Sequence, residues 1–145
     1  MDYFSAFDIS ASGMAVQKVR LDTVALNLAN VNTTRGANGA AFQPLEVIIG
    51  EGRGFQALYS DSVSGMQQRY GGARVVAVQP DLSEPRLVHD PAHPDADAEG
   101  FVAYPNINPV SEMVDLLQTT RAYEANVQAL NAAKTMALRA LEIGE

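Results

Sequence analysis

"VALNLANVNTTRG", residues 24–36, ends a long helical pattern on amides rather than charges. Asn27, Asn30, Asn32 and Thr33 are weak helix formers, yet Leu26, Leu28 and Val31 keep an apolar rhythm running among them. Asn30 and Asn32 suit the left-handed conformation that closes a helix, and Gly36 follows. Upstream, Phe7, Met14, Leu21 and Leu28 fall seven apart, with Phe4, Ala11, Lys18 and Ala25 as a second row. Together they predict an a/d-like seam over about four heptads. Ser5 and Asp8 have the spacing of a capping box at its start. A helix of about 25 residues, close to 40 Å long, is expected.

The far end repeats the pattern. Met113, Thr120, Val127, Lys134 and Leu141 recur at seven, as do Leu116, Tyr123, Leu130 and Ala137. Asn108-Pro109 supplies an N-cap and a first-turn proline, and Gly144 follows the last apolar position. This second helix should run roughly 33 residues, about 50 Å. Between the two, "AFQPLEVIIG", "ARVVAVQPD", "PRLVHDP" and "GFVAYP" read as strands, the last three closed by proline. The expected fold is α+β. Long N- and C-terminal helices (1–36 and 108–145) pair as a coiled-coil-like unit around a small β-rich domain (37–107). A flexible loop is expected at about 50–72, where no period is visible.

Charge excludes several functions. The chain of 145 residues carries a net −7, divided as 0 over residues 1–35, −5 over 36–109 and −2 over 110–145. Phosphate-backbone binding needs clustered cations, so no nucleic-acid partner is expected. No polybasic anchor and no apolar run of about 20 residues point to a membrane, so direct insertion is not expected either. Cysteine is absent, which rules out disulfides and thiolate chemistry. "MDYFSAFDIS" has acidic residues where a secretory signal carries basic ones.

Candidate chemistry is sparse. "GEGRG" lacks the Gly-Lys-Ser/Thr of a phosphate loop and reads as a turn. "HDPAHPDADAEG", residues 89–100, gathers both histidines with Asp90, Asp95, Asp97 and Glu99. Such a set suits a metal, but prolines interrupt it and it follows no calcium-loop spacing. A turn-and-bracing role is the expectation, with no catalytic, cofactor or metal residue assigned. No nucleophile elbow accompanies the histidines, so no enzyme is expected. Two other readings stay open: a small metal-binding or hydrolytic domain centred on 89–99, and a cytoplasmic coiled-coil adaptor.

The helix flanks carry more information. Between Ala122 and Ala140 stand seven alanines, with Asn126, Gln128 and Asn131 among them. A solvated coiled coil lines its flanks with Glu and Lys. Small and amide flanks fit a helix touched on several sides.

"SGMAVQKVRLDTVALNLANVNTTRG", residues 12–36, resembles the N-terminal signature of the bacterial flagellar axial proteins of the rod and hook, with its Asn27-Leu28-Ala29-Asn30-Val31-Asn32-Thr33 exit. Residues 110–144 are similar to the matching C-terminal end, most specifically at Arg121-Ala122-Tyr123-Glu124-Ala125-Asn126. Residues 90–113 resemble a segment of a short proximal-rod member of that group. The resemblance implies a structural subunit whose helices stack into a hollow drive shaft passing torque from membrane ring to hook. It implies subunit contacts at Met14, Leu21, Asn27, Leu28, Asn30 and Asn32, and at Met113, Leu116, Tyr123, Asn126, Val127 and Leu130. Implied partners are proximal and distal rod proteins, membrane-ring and adaptor proteins at the rod base, and the type III export apparatus. The implied location is the periplasmic rod of the basal body, reached without a cleaved signal.

Overall fold

A computed structural model describes residues 3–36, 39–52 and 72–143. Most of the loop expected at 50–72, the side chain of Phe4, and Gly144 lie outside the described residues. The elements are α1 (Tyr3–Ala29), β1 (Leu45–Glu51), β2 (Ala73–Pro80), β3 (Arg86–His89), β4 (Phe101–Tyr104) and α2 (Pro109–Ile143). The fold is α+β, with both long helices and all four strands where the periodicities put them.

Helix ends follow local chemistry. The Asn108 side-chain oxygen accepts the Val110 N–H at 3.0 Å, and Pro109 opens α2 where its missing N–H costs nothing. At the exit of α1, Asn30 donates both its backbone N–H (3.1 Å) and its side-chain Nδ2 (2.9 Å) to the Leu26 carbonyl. Thr33 Oγ1 then donates to Asn30 Oδ1 at 3.1 Å. The start of α1 differs from expectation. The helix begins at Tyr3, ahead of Ser5, so the Ser5–Asp8 pair sits inside the helix and does not cap it.

The strands form two separate antiparallel pairs. β1 and β2 run from Leu45↔Pro80 to Glu51↔Ala73, with a bulge between Ile48 and Ile49. The Asp81 N–H to Pro44 carbonyl bond (2.7 Å) closes one end, and the Gly52 N–H to Gly72 carbonyl bond (2.6 Å) the other. This ribbon packs on α1. A Cβ at Gly72 would run into the Ser12 side chain, so glycine there lets the ribbon end reach the helix. β3 and β4 pair from Arg86↔Tyr104 to His89↔Phe101. His89 meets Phe101 edge-on with centroids 5.1 Å apart, and Arg86 lies over the Tyr104 ring at 5.7 Å. Among the described elements, this second hairpin packs on neither helix and is carried by its flanking loops.

The helices pair antiparallel. Gly13 faces Asn126 and Asn27 faces Glu112, so 14 residues forward in α1 (27 − 13) match 14 back in α2 (126 − 112). The seam departs from the heptad rows. On α1 the buried residues are Ser10, Val16, Thr23 and Asn27; on α2 they are Thr119 and Ala133. Ala11, Lys18 and Ala25 are exposed, while Phe7, Met14, Leu21 and Leu28 are half-buried. On α2 the Thr120–Val127–Lys134 row is displaced by one position, Thr119, Asn126 and Ala133 facing inward instead. Close backbones admit only small side chains at the centre. The large apolar residues, which set the visible period, therefore mark the edge of the contact.

Candidate assembly surface

The distribution of side chains is inverted relative to a self-contained domain. Among the described residues only Val16, Val102 and Ala133 are buried hydrophobics, whereas sixteen large apolar residues are well exposed. Scattered exposed leucines are ordinary, but contiguous apolar bands mark contact sites. Val110, Met113, Val114 and Leu117 form one band at i, i+3, i+4 and i+7, exposed by 69, 56, 46 and 60%. It lies on the side of α2 turned away from α1. Farther along the same side, Arg121, Glu124, Gln128 and Asn131 are exposed and polar. Met136, Leu138 and Leu141 are also exposed near the far end.

Along the edge of the helix pair, Met14, Leu21 and Leu28 of α1 and Leu116, Val127 and Leu130 of α2 are half-buried, with Tyr123 37% exposed. These seven sit on the flanks of the seam, each keeping part of its surface in water. Met113 is set apart in the outward band. Asn32 is exposed in the exit turn, and Asn30 is occupied in closing α1. Asn126 faces the opposite helix, its Nδ2 donating to the Ala122 carbonyl at 3.0 Å. A Cβ at Gly13 would stand 3.0 Å from its amide atoms.

Asn27 is 3% exposed and faces its own chain. Its Oδ1 accepts the Leu45 N–H at 2.9 Å and its Nδ2 donates to the Leu45 carbonyl at 3.0 Å. The side-chain amide thus stands in for a neighbouring strand at the first residue of β1. Asn27 and Glu112 line the same cleft. Burial raises the pKa of Glu112 above the ordinary glutamate value, the Asn27 bond opposes that rise, and Asp115 adds to it.

The acidic loop between β3 and β4 has structural duties. Asp95 accepts Thr34 Oγ1 at 2.8 Å and lies 3.5 Å from the Arg35 guanidinium, tying this loop to the exit of α1. His93 Nδ1 accepts the Asp95 N–H at 3.1 Å. Asp90 accepts the Ala92 N–H, and Asp97 accepts the N–H groups of Glu99 and Phe101 at 2.9 and 2.8 Å. Gly100 has φ +82°, the left-handed conformation that glycine adopts without strain. Among the described residues no three His, Asp or Glu side chains gather as metal ligands. No described helix is long and apolar enough to cross a membrane.

Sequence reasoning missed two connections, Asn27 to Leu45 and Thr34 to Asp95. Their partners lie 18 and 61 positions apart, and no local pattern marks them. The small Ser12-Gly13 pair was a visible signal of close helix approach.

Comparison with known proteins adds sequence evidence at both ends. The family "Flagella basal body rod protein" matches residues 7–37, and "Flagellar basal body rod FlgEFG protein C-terminal" matches residues 98–143. The flagellar basal-body rod protein FlgC of Bacillus subtilis is 42% identical over 150 residues, covering all of both chains. That of Salmonella typhimurium is 36% identical over 145 residues, again end to end. That of Aquifex aeolicus is 38% identical over 142 residues, covering 98% of this chain and 97% of its own.

Proposed function

This chain belongs to the flagellar basal-body rod proteins, as a structural subunit of the basal body, and we propose that the apolar flanks of its helix pair are the surfaces by which it polymerises. The inverted distribution of side chains carries this reading. Large apolar residues border the seam and cover the first turns of the outward face of α2, while small and polar residues fill the centre. Met14, Leu21, Leu28, Leu116, Tyr123, Val127 and Leu130 form one contact surface, and Met113 belongs to another. Asn32 and Asn30 present the exit turn of α1 to a neighbour. Asn27 and Asn126 act from inside, by holding that turn and the seam in place.

Different patches on one subunit imply heterologous contacts, which repeat without closing and build a helical filament. In this reading the subunit sits in the proximal rod, with residues 1–36 and 108–145 forming the shaft and 37–107 reaching neighbouring chains. Torque passes from membrane ring to hook through the stacked helices. Other rod proteins, ring and adaptor proteins at the rod base, and the type III export apparatus are the partners in this reading.

Leu28→Asp and Leu130→Asp test it. Each puts a charge on a flank that would be desolvated in the assembly. Both variants should be missing from basal bodies isolated from a strain that lacks its own copy, and motility should be lost. Circular dichroism of the purified variants should still match the parent. Normal rods and swimming would show that these flanks touch no other subunit.

A further inference from the structure

The end of α1, the start of β1 and the start of α2 meet around a polar cleft of about 330 Å³. Glu46, Asp81, Glu112 and Asp115 line it, and Arg20 is the one cation among the described lining residues. Among the described residues the ion pair is Arg35–Asp95, on the other hairpin, so none of these four carboxylates is neutralised within the chain. Thr119 adds an independent observation. The other described helical threonines, Thr23, Thr120 and Thr135, each donate Oγ1 to the carbonyl four residues back, at 2.9, 2.8 and 2.9 Å. Thr119 lines the cleft and is 3% exposed, and its hydroxyl has no hydrogen-bond partner among the described residues. A buried hydroxyl left in that state costs stability until a partner reaches it.

Unpaired carboxylates beside an open hydroxyl oxygen suit a cation that carries several donors. A guanidinium offers five, on a stem long enough to enter a cleft from a neighbouring helix. A metal ion fits less well, because among the described residues no three His, Asp or Glu side chains gather as its ligands. We propose that this cleft is the socket for Arg121 of a second copy of the chain. Arg121 is exposed, has no ion pair among the described residues, and stands one turn beyond Leu117 on the outward stripe of α2. Asp115 at the cleft adjoins Val114 of the exposed band, so apolar and charged contacts form one continuous surface. The pairing rests on the assembly reading above. It joins two different patches, and so repeats from copy to copy without closing.

Charge reversal tests the socket, read as incorporation into basal bodies from a strain that lacks its own copy. Asp115→Arg and Arg121→Asp should each lower incorporation about tenfold or more, since each sets like charges against one another. The double reversal should restore most of it. Positions 115 and 121 are six apart on one helix and do not face each other, so the restored pair must lie between copies. Asp115→Asn and Arg121→Gln give a second reading without adding charge. Combined, they should lose no more than the worse single variant, because both remove the same contact. Normal incorporation of either reversal would overturn the socket. A double reversal that restores nothing, or neutral variants whose losses add, would overturn it too, as an occupant other than a second copy would give. Leu28→Asp separates this pairing from the reading beneath it. Exclusion of Leu28→Asp beside normal incorporation of the reversals removes the socket and leaves the polymerising flanks. The opposite pattern removes the flanks and leaves the socket.

Discussion

Gly13 and Asn27 show how much a single side chain decides here. At Gly13 a methyl group would stand 3.0 Å from the Asn126 amide, whose side chain has room to give by a rotamer change. Gly13→Ala should therefore be close to neutral, the tight contact offset by about 1 kcal/mol of helix propensity. Gly13→Leu should overpack the seam and cost about 1–3 kcal/mol, read as a lower denaturation midpoint of the helical signal. Asn27→Ala would strand the Leu45 N–H and carbonyl together. A loss of about 1–3 kcal/mol is expected, with faster amide exchange at Leu45. The role of Asn27 was not legible in the sequence. The amides from Asn27 to Asn32 looked alike, yet burial separates them: Asn27 braces a strand, Asn30 closes a helix and Asn32 meets water. An amide at a helix end names no partner until the chain has folded.

At the scale of elements, the sequence was far more readable. Seven-residue spacing located both helices, Asn108-Pro109 gave the start of α2, a β-branched run gave β1, and segments closed by proline gave the other three strands. Those signals are local, and local chemistry decides them. The seam was misplaced by one position on α2 because large residues dominate any periodicity, while close packing selects small ones. The link between the β3–β4 hairpin and α1 was equally hidden, since it rests on Asp95 meeting Thr34 and Arg35. The Arg35 side chain is 68% exposed, so its ion pair adds little. Asp95→Ala should accordingly change global stability by less than about 1 kcal/mol, within the range of ordinary surface substitutions and single hydrogen bonds. It should nevertheless speed exchange around Thr33–Phe42, where the Phe42 N–H bonds the Thr33 carbonyl. Unchanged exchange there would mean that the hairpin is held by its other loop contacts.

For the whole molecule, stability and assembly should come apart. Leu117 is 60% exposed on the outward side of α2. Leu117→Ser should shift the stability of the isolated chain by no more than about 0.5 kcal/mol beyond its helix-propensity cost. It should still reduce incorporation into basal bodies, measured by immunoblot against another rod protein. Equal incorporation would remove the Val110–Leu117 band from the contact surface. The antiparallel pairing of first and last helix also sets a clock. Asn27 waits for Glu112, 85 positions later (112 − 27), and Gly13 waits for Asn126. Non-local closure of this kind is slow, because the loop entropy is lost before any contact forms to compensate it. When the chain is delivered from its N-terminus, α1 can meet the β1–β2 ribbon early but lacks its helical partner until α2 arrives. The thread closes its longest pairing last and stiffens fully only on completion.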